Sequence, residues 1–268
     1  MAPPYRLMGV LNVTPDSFSD GGRFLDADAA IAHGRELIAE GADILDVGGE
    51  STRPGAEPVA AAQEMERVGP AIEGLAGAGV LLSIDTSKAA VAELALRSGA
   101  GLVNDVTALR GDREMAGLIA SSGAECCLMH MLGEPRTMQR EPRYGDVVDE
   151  VKAFLAERLE FALAAGIDER RIMLDPGIGF GKSTGHNLAL LARLGELAEL
   201  GRPIVIGTSR KRFLAAIAPG ERAESERLPG TIATNVLAYE RGASVFRVHD
   251  VAPVRDALAA AAATLGAR

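Results

Sequence analysis

The 268-residue chain is predicted to fold as one α/β domain, a closed (β/α)8 barrel, and three observations predict it. Short apolar runs alternate with longer amphipathic stretches eight times. Glycine-alanine pairs stand just ahead of several of those runs. Nearly every run then finishes on a polar or charged residue. Eight parallel strands with intervening helices close such a barrel, the TIM-barrel architecture, which takes roughly 250 residues as a single domain.

In chain order the runs are Leu7–Val13, Ile44–Val47, Val80–Ile84, Leu102–Val103, Cys126–Met129, Ile172–Leu174, Ile204–Ile206 and Val245–Val248. Each is too short for a helix and several are β-branched, so they read as buried strands. The Ala-, Leu-, Glu- and Arg-rich segments between them show helical periodicity, for instance over Asp28–Glu40, Ala60–Leu75 and Tyr144–Ala165. Gly41-Ala42, Gly99-Ala100, Gly123-Ala124 and Gly242-Ala243 mark returns from helix to strand, because glycine takes the left-handed conformation that ends a helix. No Ser/Pro linker or low-complexity segment divides the chain, so one domain over residues 1–268 is expected, with no fused second domain.

The strand exits carry the functional signal: Asn12, Asp46, Asp85, Asn104 with Asp105, His130, Asp175, Ser209, and His249 with Asp250. In a parallel barrel these ends meet at one face, where the loops build the active site. A single carboxylate after a strand often just caps the next helix. A polar group at every exit is not explained by capping alone.

Composition narrows the function class. The formal net charge of −9 lacks the basic excess that a nucleic-acid binder uses to displace counterions, so no nucleic-acid partner is expected. A small anionic ligand needs only a few basic groups at one site. Cys126 and Cys127, the only cysteines, are adjacent in an apolar run and read as small core residues, not as a disulfide or zinc site. Met1–Arg6 has no basic segment leading into an apolar stretch, and no run approaches the ~20 residues that span a bilayer. A cytoplasmic protein without a membrane partner is expected.

The loops are specific. After the first run stand Asn12-Val13-Thr14-Pro15-Asp16-Ser17-Phe18-Ser19-Asp20-Gly21-Gly22, small and turn-forming residues suited to a lid. After the second come Gly48-Gly49-Glu50-Ser51-Thr52-Arg53-Pro54-Gly55, where paired glycines allow close backbone approach and Arg53 can fork onto an anion. Asp175-Pro176-Gly177-Ile178-Gly179-Phe180-Gly181-Lys182-Ser183 ends like a phosphate-binding P-loop. However, Pro176 occupies the required earlier glycine position, and the spacing also fails the dinucleotide fingerprint. In Ser209-Arg210-Lys211-Arg212, positive charge opening a helix opposes the helix dipole and calls for an anion. Arg247 and His249 fall on one side of the last strand, a pattern that matches the phosphate site barrels often build there. A lone histidine such as His33 is an ordinary helix residue.

Six such strings, in order from Met8 to Asp250, resemble the signatures of the dihydropteroate synthases. The resemblance implies substrates, a pterin pyrophosphate and 4-aminobenzoate, and it assigns residues to them. Asp85, Asn104 and Asp175 would pair with the pterin's aminopyrimidinone edge, where unmatched buried groups give strong discrimination. Thr52, Lys211, Arg247 and His249 would join them on the pterin pyrophosphate, with Arg53 and Asp16 catalytic alongside Lys211, Arg247 and His249. Thr52, Pro54, Phe180, Ser209 and Phe18 would surround the aminobenzoate, with the helix opening after Ser209 helping to receive its carboxylate. Asn12 would help hold Mg²⁺, the one cofactor implied, and His130 would support the site without reacting. One small departure is Ser87, where many relatives carry Tyr. The family also implies a homodimer, through the Ala-rich C-terminal helices, and competitive inhibition by sulfonamides; the loop around Phe180 lacks the aromatic insertion of drug-insensitive relatives.

The implied reaction replaces pyrophosphate on the pterin's methylene carbon with the amino nitrogen of 4-aminobenzoate, giving 7,8-dihydropteroate in folate biosynthesis. Catalysis would lie mainly in stabilising the departing pyrophosphate. Two rivals share parts of the pattern. A methyltetrahydrofolate-binding methyltransferase should lack the anion sites around Lys211 and Arg247. A catalytically silent pterin-binding paralogue should have lost several of Asn12, Asp85, Lys211 and Arg247.

Overall fold

A computed structural model describes residues 5–14, 23–52, 55–220 and 223–267, and in it eight parallel strands close a barrel in sequence order. They are β1 (Arg6–Asn12), β2 (Ile44–Gly48), β3 (Leu81–Asp85), β4 (Leu102–Asp105), β5 (Glu125–Met129), β6 (Ile172–Asp175), β7 (Ile204–Ile206) and β8 (Ala243–Val248). The surrounding helices are α1 (Arg23–Glu40), α2 (Ala61–Leu75), α3 (Ala89–Arg97), α4 (Met115–Ser122), α5 (Val147–Ala164), α6 (Thr184–Ala192), α7 (Leu194–Ala198), α8 (Arg212–Ile217), α9 (Leu228–Glu240) and α10 (Val251–Gly266). Every expected run overlaps a strand. The segment Tyr144–Ala165 becomes helical later than its periodicity predicts, because the Asp146 carboxylate accepts from the Val148 and Asp149 amides at 2.8 and 3.1 Å and sets the helix start there. The four joint glycines all take left-handed φ, as in Gly41 at 105°.

Side chains alternate across each strand, which sorts them into two cores. Met8, Ile44, Leu81, Leu102, Cys127, Met173, Val205 and Val245, one from every strand, fill the inside of the barrel as an apolar plug. The opposite faces, with Leu45, Ile84, Cys126, Leu174 and Phe246 among them, pack against the helices in the larger core. Adjacent cysteines thus point to opposite sides of one strand. Burial pushes the Cys126 thiol up to about 12 and the Cys127 thiol well above its ordinary value.

The plug is a floor for what lies above it. Two residues further along their strands, on the same inward side, stand Asp46, Ser83, Asn104, Asp175 and Arg247. Below the plug, Arg6 reaches across to Glu125 at 3.2 Å and to the Met173 sulfur at 3.2 Å. Among the described residues, no helix is long and apolar enough to cross a membrane.

Candidate active site

Asp46 organises the mouth. It lies fully buried in the middle of β2, not at the strand exit where its run appears to end. Its Oδ1 accepts from the Ser83 hydroxyl at 2.6 Å, and its Oδ2 accepts from Asn104 Nδ2 at 3.0 Å and Arg247 Nε at 2.6 Å. Arg247 also donates from Nη2 to Asp85 Oδ2 at 2.8 Å. Strands β2, β3, β4 and β8 therefore meet in one hydrogen-bonded layer above the plug. Charge-assisted bonds of this kind fix side-chain direction as well as position.

The three residues expected on the pterin edge share that layer's level. Asp85 and Asn104 are register partners on β3 and β4, and both are buried. Burial raises the Asp85 carboxyl to about 7, against the opposing pull of Arg247 and with the Asp46 charge adding to the rise. Asp175, at the end of β6, is also pushed up by burial; Lys211, the Gly177 amide and Arg247 oppose the shift. The capping explanation applies to only some of these carboxylates. Asp105 turns away from the mouth and accepts from the Thr107 and Leu109 amides at 2.8 Å each. Asp175 accepts from the Gly177 amide at 2.6 Å. Among the described residues Asp85 accepts from Arg247 and caps no helix.

The loop after β6 forms a firm wall. Lys211 donates to the Ile178 carbonyl, Asn187 accepts from the Gly179 amide at 2.7 Å, and Tyr144 donates to the Gly181 carbonyl at 2.9 Å. Phe180 packs on Val106, Met129, Met131 and Met138, and the Lys211 ammonium lies 4.5 Å from its ring centroid. Burial lowers Lys211 to about 8, with Asp175 opposing the shift and Arg247 reinforcing it, so it remains largely protonated at neutral pH. The bare backbone of Gly207 leaves room between loops: a side chain there would begin 3.8 Å from both Lys211 Nζ and Arg247 Cβ.

Ser209 and His249 join the last two strand exits. The Ser209 hydroxyl accepts from the His249 amide at 3.2 Å and lies 3.0 Å from its Nδ1. Arg210, in left-handed conformation at φ 57°, forks onto Asp250 at 3.0 and 2.6 Å, while Arg227 holds its carbonyl at 2.8 Å. Thus Arg210 is spent on structure, and Ser209 and Lys211 are the members of that string turned to the mouth. The helix that follows, α8, has only six residues and a weak dipole to offer an anion.

On the other side, Glu50 pins the loop after β2. It accepts from the Val59 amide at 3.0 Å and pairs with Lys88, which also meets the buried Glu64 at 2.6 Å. Thr52, half-buried, follows two residues after Glu50. Arg53, Pro54, Asp16 and Phe18 lie outside the described residues. Asn12 ends β1, and with no side chain on Gly48 its Oδ1 and Asp85 Oδ2 look onto one point, each 3.8 Å from where a Cβ of residue 48 would be. Among the described residues no cluster of three or more His, Cys, Asp or Glu could hold a metal by itself. A hard cation here would draw on Asn12 and on oxygens brought by a ligand.

Asn12, Asp85, Asn104, Asp175, Phe180, Ser209, Lys211, Arg247 and His249 therefore all stand at the carboxyl-terminal mouth. Sequence reasoning missed the part of Asp46, which it places among the strand-exit residues without a role. The available signal was its spacing: Asp46 lies two residues after the plug residue Ile44, as Asp175 does after Met173.

Comparison with known proteins bears on this arrangement. The sequence pattern of the family described as pterin binding enzymes matches residues 8–249. The dihydropteroate synthase of Mycobacterium leprae is 47% identical over 269 residues, covering 98% of this chain and 95% of that protein. Among solved structures, Xanthomonas albilineans dihydropteroate synthase with 4-aminobenzoic acid superposes with a TM-score of 0.92 at 48% identity, covering 97% of this chain and 93% of that one. The Yersinia pestis dihydropteroate synthase in a sulfonamide drug complex gives 0.91 at 41% identity, covering 98% and 94%. The chain belongs to the pterin binding enzymes and, within them, to the dihydropteroate synthase family.

Proposed function

We propose that this chain condenses 6-hydroxymethyl-7,8-dihydropterin pyrophosphate with 4-aminobenzoate, releasing pyrophosphate and 7,8-dihydropteroate, as a transferase of folate biosynthesis. The observation that carries the reading is the buried layer in which Asp46 and Arg247 hold Asp85 and Asn104 at one level of the barrel, with Asp175 inward on β6. A flat heterocycle with alternating donors and acceptors finds complements there. Leaving any of these groups unmatched in so dry a site costs about 1–3 kcal/mol each, which is the source of discrimination.

Pterin recognition falls to Asp85, Asn104 and Asp175, and 4-aminobenzoate lies against Phe180, with Ser209 and Thr52 at its polar end. Phe18 and Pro54 complete that pocket in this reading, and Asp16 and Arg53 close over the pyrophosphate. Lys211 stands between the two halves, its ammonium over Phe180 and drawn toward Asp175. Arg247 engages Asp46 and Asp85 through Nε and Nη2, so Nη1 is the nitrogen it presents to a ligand, beside His249. As the C–O bond to pyrophosphate breaks, positive charge spreads over the pterin ring and the buried carboxylates stabilise it. An aromatic amine is already unprotonated at neutral pH, so the attack needs no strong base.

Asn12 would hold Mg²⁺ through its amide oxygen, with pyrophosphate and water supplying the other ligands, as this cation favours. When bound, Mg²⁺ would supply positive charge against the leaving pyrophosphate, and Asn12 is the residue of this chain that would hold it. Sulfonamides compete for the 4-aminobenzoate site. A homodimer through the C-terminal helices and a cytoplasmic location belong to the same proposal.

The test mixes the protein with Mg²⁺ and both substrates and follows pyrophosphate release. We expect release that needs 4-aminobenzoate and falls about 100-fold in Lys211→Ala, the scale seen when one preorganised charge donor is removed. No release by the folded wild-type protein overturns the assignment.

A further inference from the structure

Lys182 takes no part in the chemistry above, yet it is 3% exposed and carries an ammonium. Burying an ammonium is tolerable only when its protons are accepted. Its Nζ contacts His130 Nδ1 at 2.8 Å, the Phe180 carbonyl at 3.0 Å and the His130 carbonyl at 3.4 Å. Three donors thus meet three acceptors, and no carboxylate is among them. All three acceptors belong to two segments, the end of β5 and the loop after β6.

Those segments already touch backbone to backbone. A Cβ on Gly177 would lie 1.9 Å from the His130 carbonyl oxygen, and one on Gly181 would lie 2.4 Å from that of Leu132. No side chain can be inserted to hold the loop, so a cation reaching from within does so instead. The charged and titratable groups around it are Asp175 on β6, Lys211 after β7, Arg110 after β4, Tyr144 before α5 and His186 on α6. Burial, reinforced by Lys182 and Arg110, lowers His130 to about 3, so its imidazole stays neutral, and accepting from the Lys182 ammonium puts its one proton on Nε2 and leaves Nδ1 bare. Burial lowers Lys182 itself to about 7, opposed by Asp175 and reinforced by Lys211, so the three-donor ammonium is the form that predominates below that pH and the neutral amine above it keeps two donors for the same acceptors.

We propose that Lys182 is a positioning residue for the 4-aminobenzoate half of the site, stapling the Phe180 carbonyl to His130 so that the Phe180 ring faces the amine substrate. The proposal rests on the reading that Phe180 lines that half-site. A staple of this kind bears on 4-aminobenzoate more than on the pterin: Asp85 and Asn104 are anchored through Asp46 and Arg247 on the opposite side of the barrel, and Asp175, which shares the stapled loop, is fixed by its own bond from the Gly177 amide.

The test is a double-mutant cycle on steady-state constants with Lys182→Met, Phe180→Ala and both together. We expect K182M to raise KM for 4-aminobenzoate at least tenfold, with KM for the pterin pyrophosphate within twofold and kcat within threefold. In the double variant the effects should be less than multiplicative, since both remove the same wall. Equal rises in both KM values, an unchanged KM for 4-aminobenzoate, or fully multiplicative effects overturn the proposal. If F180A raises that KM and K182M does not, the staple alone is wrong. If F180A leaves it unchanged, the placement of Phe180 falls, and the staple with it. Should K182M fail to fold, His130→Leu removes the Nδ1 acceptor and keeps the lysine. It must then raise KM for 4-aminobenzoate selectively by at least threefold, and no selective rise overturns the proposal.

Discussion

The barrel carries an arginine-carboxylate contact across its inside at each end, and the two are built to opposite purposes. Below the plug, Arg6 meets Glu125 with side chains 37% and 32% exposed. Above it, Arg247 meets Asp46 and Asp85, with side chains 22%, 0% and 9% exposed. Water screens the lower pair, which contributes about 0–1 kcal/mol. The upper triad has given up most of its hydration, and such groups stabilise a fold poorly while losing any one of them is costly. The same chemistry is a surface tie at one end and, at the other, a dehydrated polar layer that faces the barrel mouth.

Breaking the upper contact should have the largest effect. Arg247→Met leaves two buried carboxylates without their cation. We expect kcat/KM to fall by roughly 10³-fold and thermal denaturation to report a loss of about 3–5 kcal/mol. Near-normal kinetics in a folded variant would falsify the division between the ends. Asp46→Asn keeps the shape but removes the charge that orients Arg247 and Asn104; a rise in KM for the pterin pyrophosphate of about 10–100-fold is expected, roughly 1.4–2.7 kcal/mol. Calorimetric binding of a pterin analogue would check it.

A third experiment sharpens the comparison through pH. The Asp85 carboxyl is held up at about 7 by burial, so it is protonated below that value and charged above it. If the charged form receives the pterin's N–H groups, kcat/KM for the pterin should rise with pH through about 7, and Asp85→Asn should flatten that limb at a lower overall rate. The sign for stability is opposite. Because the folded pKa lies above the unfolded one, the native state holds the extra proton, and this group's contribution is lost as pH rises from about 4 to about 7. The smallest effect belongs to the lower pair: Arg6→Gln should shift stability by less than about 1 kcal/mol and leave both KM values unchanged. A marked kinetic defect there would mean that the two ends communicate through the plug.

Alternation and glycine placement made the barrel legible in the sequence. Each strand is a run too short to be a helix, and the joint glycines adopt the left-handed turns they imply. The mouth was legible as a list of polar exits. Asp105 shows the limit of such a list, since it sits beside Asn104 yet caps its own loop. Asp46 shows another. Its main partner, Arg247, lies 201 residues away, and a linear sequence carries no sign of which inward side chains meet across a closed barrel. Arg210 and Lys211 are neighbours with the same charge, and only the left-handed backbone at Arg210 turns one to Asp250 and the other to the site. Lys182 resembled the end of a phosphate loop and proves instead to be buried beneath its own loop.

The two cysteines give this chain a practical advantage. Cys126 faces the helices and Cys127 the plug, both sealed from solvent and both held as thiols far above neutral pH. The native protein therefore has no sulfur ready to react with a maleimide or a nitroxide reagent. A single cysteine introduced at an exposed position such as Ser121 would be the only label acceptor in the folded molecule. Fluorescence and spin-label distance measurements could then follow substrate binding without first deleting the natural thiols, whose removal would open cavities in two different cores.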